Sequence, residues 1–399
     1  LSCSTLAMGL LKDRDYFSPY TLFAAAPFAI LIYSNFVSNY YLPWPDGNAI
    51  FNIIIGQFCF LLGLSFLRFR TGMFLEKKAC SMLQSEPAAK FPYKIIFLIG
   101  IIPYIVSIFL YDFMNLDLGG KGIEEYRRNF NIPILSEFSC LTTPAILYTA
   151  YIRKFKDFII MLVLVLFLSL LTLSKGAVLF IYFMTLYCAY RYLRGQYTRI
   201  TTITFALIII STFLLFSMAR QGTFATQLYK PSYEYFYENN RNAALPTLLQ
   251  PFFPSYMYMT TPLSNFAYLV EINNEQTNGA MTLWPIISTF QLKRLYDFEE
   301  IAKQFRLWPY NTHTFLADFY LDFGTVGLVF LPIILGLLVY FMYVRSLRSI
   351  DVLVHAEYMY FSYAVLMMFF SNHFTSIAYP LRIVLVFEVC RMILGRLRP

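Results

Sequence analysis

Asn311-Thr-His-Thr-Phe-Leu-Ala-Asp-Phe-Tyr-Leu-Asp-Phe-Gly-Thr-Val-Gly327 is the stretch on which the reading of this chain turns. It closes a long polar segment and runs directly into an apolar one that continues to about Val344. Asp318 and Asp322 are four apart, so on a helix they share a face. His313 precedes Asp318 closely enough to fold over the same patch. A second polar insertion, Met218-Ala-Arg-Gln-Gly222, ends another apolar run. The two helix ends are expected to frame a site on the outer face of a membrane.

Composition makes membrane residence the first expectation. The chain is 58% hydrophobic and 14% charged, whereas a soluble domain carries about 25% charged residues. Several of its runs exceed the roughly 18 apolar residues that cross a bilayer. The net charge of +8 follows topology rather than nucleic-acid binding. Lys and Arg collect before Tyr20 and over 68–94, 153–156, 191–199, 345–348 and 391–398. These segments alternate with 39–48, 112–131, Lys175, 219–318 and 371–376. Positive charge marks the cytoplasmic side, which puts both termini inside. Residues 1–11 read as the tail of an earlier helix or a short leader. The six cysteines show neither a disulfide framework nor zinc spacing.

The expected fold class is an all-α integral membrane protein with about ten transmembrane helices, ten to twelve being compatible with the runs. They are Thr21–Val37, Ala49–Leu67, Lys94–Tyr111, Ile132–Ile152, Phe158–Leu173, Ala177–Tyr192, Ile200–Met218, Phe319–Val344, Tyr358–Phe370 and Ile377–Leu394. Pro103 should kink the third. This divides the chain into an N-terminal bundle of about seven helices (1–218), an outer loop domain (219–318) and C-terminal helices (319–399). Loops as long as 219–318 are functional or disordered, and the density of Tyr, Phe and Trp argues against disorder. Within it, Leu295, Phe298, Ile301, Ala302 and Phe305 recur at helical spacing. Tyr256–Leu269 is apolar but carries Pro262 and Asn265, which suits a re-entrant or interfacial segment.

Arg127, Arg128, Lys175 and Arg220 fall in outer segments, and Arg382 lies just inside the last apolar run, where a bare guanidinium is costly. Outer short loops should be poor in Arg, and Arg forks match phosphate oxygens. A basic bowl at the outer lipid boundary is one reading. Pairing with Glu124, Glu125, Glu388 or lipid headgroups is the other. His355 is expected to be cytoplasmic and solvated, and His373 to lie in an outer turn. His313, Asp318 and Asp322 suit acid–base work, although either Asp could instead cap a helix N-terminus. Gly119-Gly-Lys-Gly122 follows no strand and is not a nucleotide loop.

Arg220-Gln-Gly222, Tyr256-Met-Tyr-Met-Thr-Thr-Pro-Leu-Ser-Asn265-Phe and the Asn311–Gly327 pattern resemble the oligosaccharide repeat-unit polymerases, the Wzy-type O-antigen and capsule polymerases. Phe17-Ser-Pro19 and Ser174-Lys-Gly176 fit as well. The resemblance implies a bacterial inner-membrane glycosyltransferase with its site facing the periplasm. Its substrates would be undecaprenyl-diphosphate-linked oligosaccharides, with membrane lipids around it and a chain-length regulator and a flippase as partners. On that reading Arg220, Arg127, Arg128, Lys175 and Arg382 hold the donor diphosphate. Tyr256, Asn265, Trp284, Trp308 and Asn311 meet the sugars, and His313, Asp318 or Asp322 handles the attacking hydroxyl. Neither cofactor, metal nor nucleic acid is called for. The rivals are an O-antigen ligase, a lipid-linked oligosaccharide flippase or transporter, and a structural scaffold. Internal repeats and central-cavity charges, which a carrier should show, are not found.

Overall fold

A computed structural model describes residues 15–24, 46–71, 91–110, 135–171, 175–192, 253–272, 276–283, 314–369 and 379–396. Every regular element among them is a helix. In chain order these are α1 (Gly47–Thr71), α2 (Tyr93–Leu110), α3 (Thr142–Tyr151), α4 (Phe155–Leu171), α5 (Lys175–Tyr192), α6 (Phe253–Ile272), α7 (Phe315–Arg348), α8 (Val352–Met367) and α9 (Tyr379–Arg396). Among the described residues, two stretches, Gly47–Phe69 and Phe315–Arg348, are long and apolar enough to cross a membrane. The expected helix Ile200–Met218, the amphipathic 295–305 segment and His373 lie outside the described residues.

The chain forms two compact units. They cut across the division expected from hydropathy. Unit 1 is Leu1–Cys80, Glu234–Arg348 and Tyr360–Arg382, and unit 2 is Ser81–Tyr233, Ser349–Met359 and Ile383–Pro399.

Unit 1 is built on α1 and α7. Asp46 starts α1 by accepting from the Ala49 amide through Oδ1 (2.7 Å). One face of α1 turns Phe51, Ile54, Phe58, Leu62, Phe66 and Phe69 outward at helical spacing. An outward stripe that apolar suits lipid rather than water. The other face carries Gly56 and Gly63, and these let α7 approach to backbone contact. A Cβ on Gly63 would strike the carbonyl of Ile333, and one on Gly336 would lie 2.9 Å from the Leu64 amide nitrogen. Small residues at such crossings are how apolar helices pack without a hydrophobic driving force. Phe23 stacks on Phe60 (ring centroids 4.8 Å apart), and Phe315 and Phe369 close the same cluster at 6.0–6.2 Å. At one end, Tyr20 donates to Ser65 Oγ, Arg68 lies 5.0 Å over the Tyr20 ring, and Tyr343 donates to Asp15 Oδ2.

The expected single helix Phe319–Val344 is corrected here. Helix α7 breaks at Phe323 (φ −142°, ψ 17°) and Gly324 (φ 59°, ψ −147°), and the chain turns back on itself. Phe315 packs on Phe60, Leu316 reaches Gly56, Thr325 Oγ1 donates to Asn52 Oδ1 (2.9 Å), and Ile333 meets Gly63. The arm 315–322 therefore runs along α1 in one direction and the arm 325–348 returns in the other. Gly327 abuts the carbonyl of Phe319 across the fold, a contact a continuous helix forbids at that separation. The returning arm alone is roughly 36 Å long at 1.5 Å per residue, enough to span.

Unit 2 holds α2 to α5, α8 up to Met359 and α9 from Ile383. The expected helix Ile132–Ile152 is corrected too. It begins as a 3-10 helix over Leu135–Leu141 and becomes α-helical only at Thr142. Pro144 has no N–H to give Cys140, so an unbroken α-helix through that point would lose a bond; in the first turn of α3 the loss is free. This junction sits against Gly100, whose added Cβ would lie 2.7 Å from the Thr142 nitrogen. Outward stripes recur on α2 (Ile95, Leu98, Ile99, Ile102, Ile105) and on α4 (Ile159, Ile160, Val163, Phe167).

Candidate functional site

The arm 315–322 is polar at two positions and buried at nearly all. Asp318 is 3% and Asp322 0% exposed, between Phe315, Leu316, Phe319 and Leu321, which are also buried. The arm starts at buried Thr314, and the Phe315 amide donates to the Met368 carbonyl at 2.8 Å. From neighbouring elements of unit 1 come further buried polar groups: Asn52 and Gln57 on α1, and Ser264 and Asn265 on α6. The expected Tyr256–Leu269 segment lies within α6, a helix of 20 residues with Pro262 inside it, which places the Phe266 ring 5.8 Å from Tyr320 of the arm.

The reversal leaves the Leu321 and Asp322 carbonyls without their partners in the next helical turn. A turn at 276–283 supplies replacements. Thr277 N donates to Leu321 O (2.9 Å) and Asn278 N to Asp322 O (3.2 Å). The same turn surrounds the Asp322 carboxylate. Oδ1 accepts from Thr277 Oγ1 (2.5 Å) and Met281 N (2.9 Å). Oδ2 accepts from Thr282 N (2.6 Å) and Thr282 Oγ1 (2.5 Å). Asn278 (φ 49°) and Gly279 (φ 91°) provide the left-handed backbone for so tight a turn. A Cβ on Gly279 would lie 3.2 Å from the Phe323 ring. Gly324 sits in a region of backbone space that is almost closed to other residues.

Asp318 and Asp322 share a face as their spacing predicts, yet they have different surroundings. Asp322 is an acceptor held between two amides and two hydroxyls. Its carboxylate accepts from the 276–283 turn rather than from amides of the arm 325–348 that follows it, so it is not the N-cap considered above. Asp318 lies one turn deeper along the arm. Asn265 is buried on α6 of the same unit. Lys175 opens α5, Tyr256 lies in the first half of α6 and Arg382 in the first turn of α9; their side chains are outside the described set. His313, Arg127, Arg128, Arg220, Trp284, Trp308 and Asn311 lie outside the described residues altogether.

The other polar cluster, in unit 2, corrects the view of His355 as solvated. It is 5% exposed. Its Nε2 donates to the Ser349 carbonyl (2.9 Å), which can only accept, and its Nδ1 takes the Tyr187 hydroxyl (3.2 Å). That pairing describes a neutral imidazole. Burial, and then the nearby Arg191 guanidinium, lower its pKa to about 4. Nearby, Arg391 binds Asp351 (2.8 Å), the fully buried Glu357 (3.0 Å) and Glu388.

The residues that sequence reasoning missed are Thr277, Met281 and Thr282, which grip Asp322, and Asn52, which holds Thr325. Two signals were present. Gly324 and Gly327 interrupt an apolar run, and Asn278-Gly279 is a turn dipeptide. Nothing in either signal says that the two belong together. No family model, curated protein or solved structure matches this chain.

Proposed function

We propose that this protein is a membrane glycosyltransferase that polymerises undecaprenyl-diphosphate-linked oligosaccharide repeat units, on the periplasmic face of a bacterial inner membrane, into O-antigen or capsular polysaccharide. About ten crossings with both termini inside complete this reading. The observation that carries it is the character of the 311–327 segment. The stretch whose sequence resembles the polymerases holds a buried polar arm, with carboxylates at Asp318 and Asp322, against an otherwise apolar helix. Ionisable groups are costly in such surroundings and mark function when present. Asn265 and Ser264 of α6, from the second segment of the resemblance, are buried in the same unit.

In the proposed reaction a hydroxyl oxygen of the lipid-linked acceptor repeat attacks the anomeric carbon of the donor chain. The bond from that carbon to the undecaprenyl diphosphate oxygen breaks, and the diphosphate leaves. His313 or Asp318 takes the hydroxyl proton; Asp322, the third candidate, has both oxygens occupied by four donors of the 276–283 turn and is withdrawn from that role. Arg220, Arg127, Arg128, Lys175 and Arg382 stabilise the leaving charge as fixed cations. Tyr256, Trp284 and Trp308 stack on the sugars, with Asn265 and Asn311 as hydrogen-bonding groups.

Complementation of a polymerase-deficient host of matching serotype tests this, with glycan length read on a gel. Wild type should restore a ladder, and Arg220→Ala and His313→Ala should collapse it to single repeats at equal protein level. Surface glycan that is absent rather than short with wild type would favour the ligase or flippase instead. Full ladders from both variants would remove Arg220 and His313 from the site.

A further inference from the structure

We propose that Asp322 is a positioning residue: its carboxylate fixes the 276–283 turn on the tip of the α7 reversal, and this sets where the chain leading into Trp284 meets the acceptor. The inference rests on the polymerase reading for its kinetic half and on geometry alone for its structural half. The turn is bound to the tip twice over. Two of its amides take main-chain carbonyls of the reversal, and four donors converge on the one carboxylate. Each carboxylate oxygen receives one backbone amide and one hydroxyl. The hydroxyls can rotate, but the amides cannot.

That pattern makes the site selective for an ionised acid. An asparagine offers one acceptor oxygen and one NH2 group. Either flip leaves the NH2 facing a backbone amide, Met281 N or Thr282 N, so no orientation of Asn satisfies the turn. A part-buried donor left unmade loses its bond and costs part of its desolvation. Thr277 and Thr282 are each used through the hydroxyl as well as the chain, so Val at either position removes a donor without changing shape. At the tip a Cβ added to Gly324 would lie 3.1 Å from the Gln276 side chain, and Phe323 is 37% exposed. Freed from Asp322, the turn would lose all four donors to the carboxylate and retain the main-chain bonds of Thr277 and Asn278 to the reversal.

Hydrogen exchange of the full-length chain in lipid nanodiscs reads the structural half. The Met281 and Thr282 amides should be protected in wild type and should exchange faster in Asp322→Asn, while amides of α1 keep their protection. Unchanged exchange at 281–282 in Asp322→Asn would overturn the inference, whatever the protein's activity. The kinetic half uses initial rates of cell-free polymerisation against the concentration of lipid-linked repeat unit. Asp322→Asn should raise the KM for the acceptor by roughly tenfold or more, the worth of one lost hydrogen bond to a charged group, with kcat little changed. A merely structural role would lower the amount of active enzyme at unchanged KM, and that result would overturn the inference. Should Asp322→Asn fail to fold, Thr282→Val takes its place: it should raise KM in the same sense, and Thr282→Ser, which keeps the hydroxyl, should return it toward wild type. Equal KM for Val and Ser would overturn the inference. A wild-type chain without polymerising activity would remove the reading under Proposed function while leaving the exchange result to decide the role of Asp322 in the turn.

Discussion

Replacing Gly327 by Ala separates a reversed α7 from a continuous one by the sign of the effect. In a straight apolar helix Gly is the poorest choice short of Pro, and Ala in its place stabilises by about 1 kcal/mol. In the reversal the new methyl lands on the Phe319 carbonyl oxygen and lies 3.1 Å from that carbonyl carbon and from Phe323 Cβ. The obstacle is main chain, so relief requires the arms to part and pulls the 315–322 arm away from Gly56 and Phe60. Overpacking of this kind costs about 1–3 kcal/mol. The two geometries therefore differ by roughly 2–4 kcal/mol for one methyl group. Gly324→Ala is the companion. Its φ of 59° and ψ of −147° cost about 1–3 kcal/mol for a residue with a Cβ. The nearest atom is the flexible Gln276 amide at 3.1 Å, so the backbone and not the contact carries the penalty. Gly47→Ala is the control, since nothing lies within 4 Å of its Cβ position. Thermal unfolding in detergent, followed by a thiol-reactive dye, reports through the buried Cys59 on α1. Gly327→Ala and Gly324→Ala should label several degrees below wild type, at roughly 2–4 °C per kcal/mol, and Gly47→Ala should not. A Gly327→Ala protein that melts above wild type would refute the reversal, and with it the docking of the 276–283 turn on its tip.

Two further outcomes are expected in unit 2. Arg391→Ala removes the guanidinium that pairs with the fully buried Glu357 and should destabilise by about 3–5 kcal/mol, well beyond Glu388→Ala; in a double-mutant cycle read by the same thermal assay, adding Glu357→Gln should recover part of the loss. His355, three residues before the expected span Tyr358–Phe370, has its pKa lowered to about 4 against about 6.5 unfolded. The unfolded chain therefore binds the extra proton between those values, and the contribution is whole above about pH 7 and lost as pH falls from 6.5 toward 4. The loss reaches up to roughly 3 kcal/mol. Melting compared at pH 7.5 and pH 5 should show a drop that His355→Gln reduces, and equal drops in both proteins would refute it.

The helices of this fold are legible where the apolar run alone decides them. Helices α1, α2, α4 and α5 begin and end within a few residues of the expected spans, because composition and length set those boundaries. The α7 reversal is not legible in that way. A hydropathy window reads Phe319–Val344 as one apolar run, and two glycines three apart look like a packing stripe. The break is decided by donors from a segment some forty residues earlier, and local pattern carries no record of it. His355 misled for a related reason: a lone histidine in an expected cytoplasmic connection reads as solvated, and only the fold brings Tyr187 and Ser349 to its two nitrogens.

The pairing of Asp318 with Asp322 shows what sequence does and does not carry at the candidate site. Their shared face follows from spacing alone. Their different roles follow from what the turn brings to each. A helix that breaks inside an apolar bundle exposes carbonyls that water cannot reach, and each must be given a donor by protein. Thr277 and Asn278 answer that requirement, and once they are in place the carboxylate at 322 becomes the anchor for the rest of their turn. The 276–283 turn is thus a structural necessity of the reversal. It follows that changes in 276–283 should be felt at the α7 tip and the 315–322 arm before they are felt at α1, a sequence of effects that a freely tethered loop would not produce.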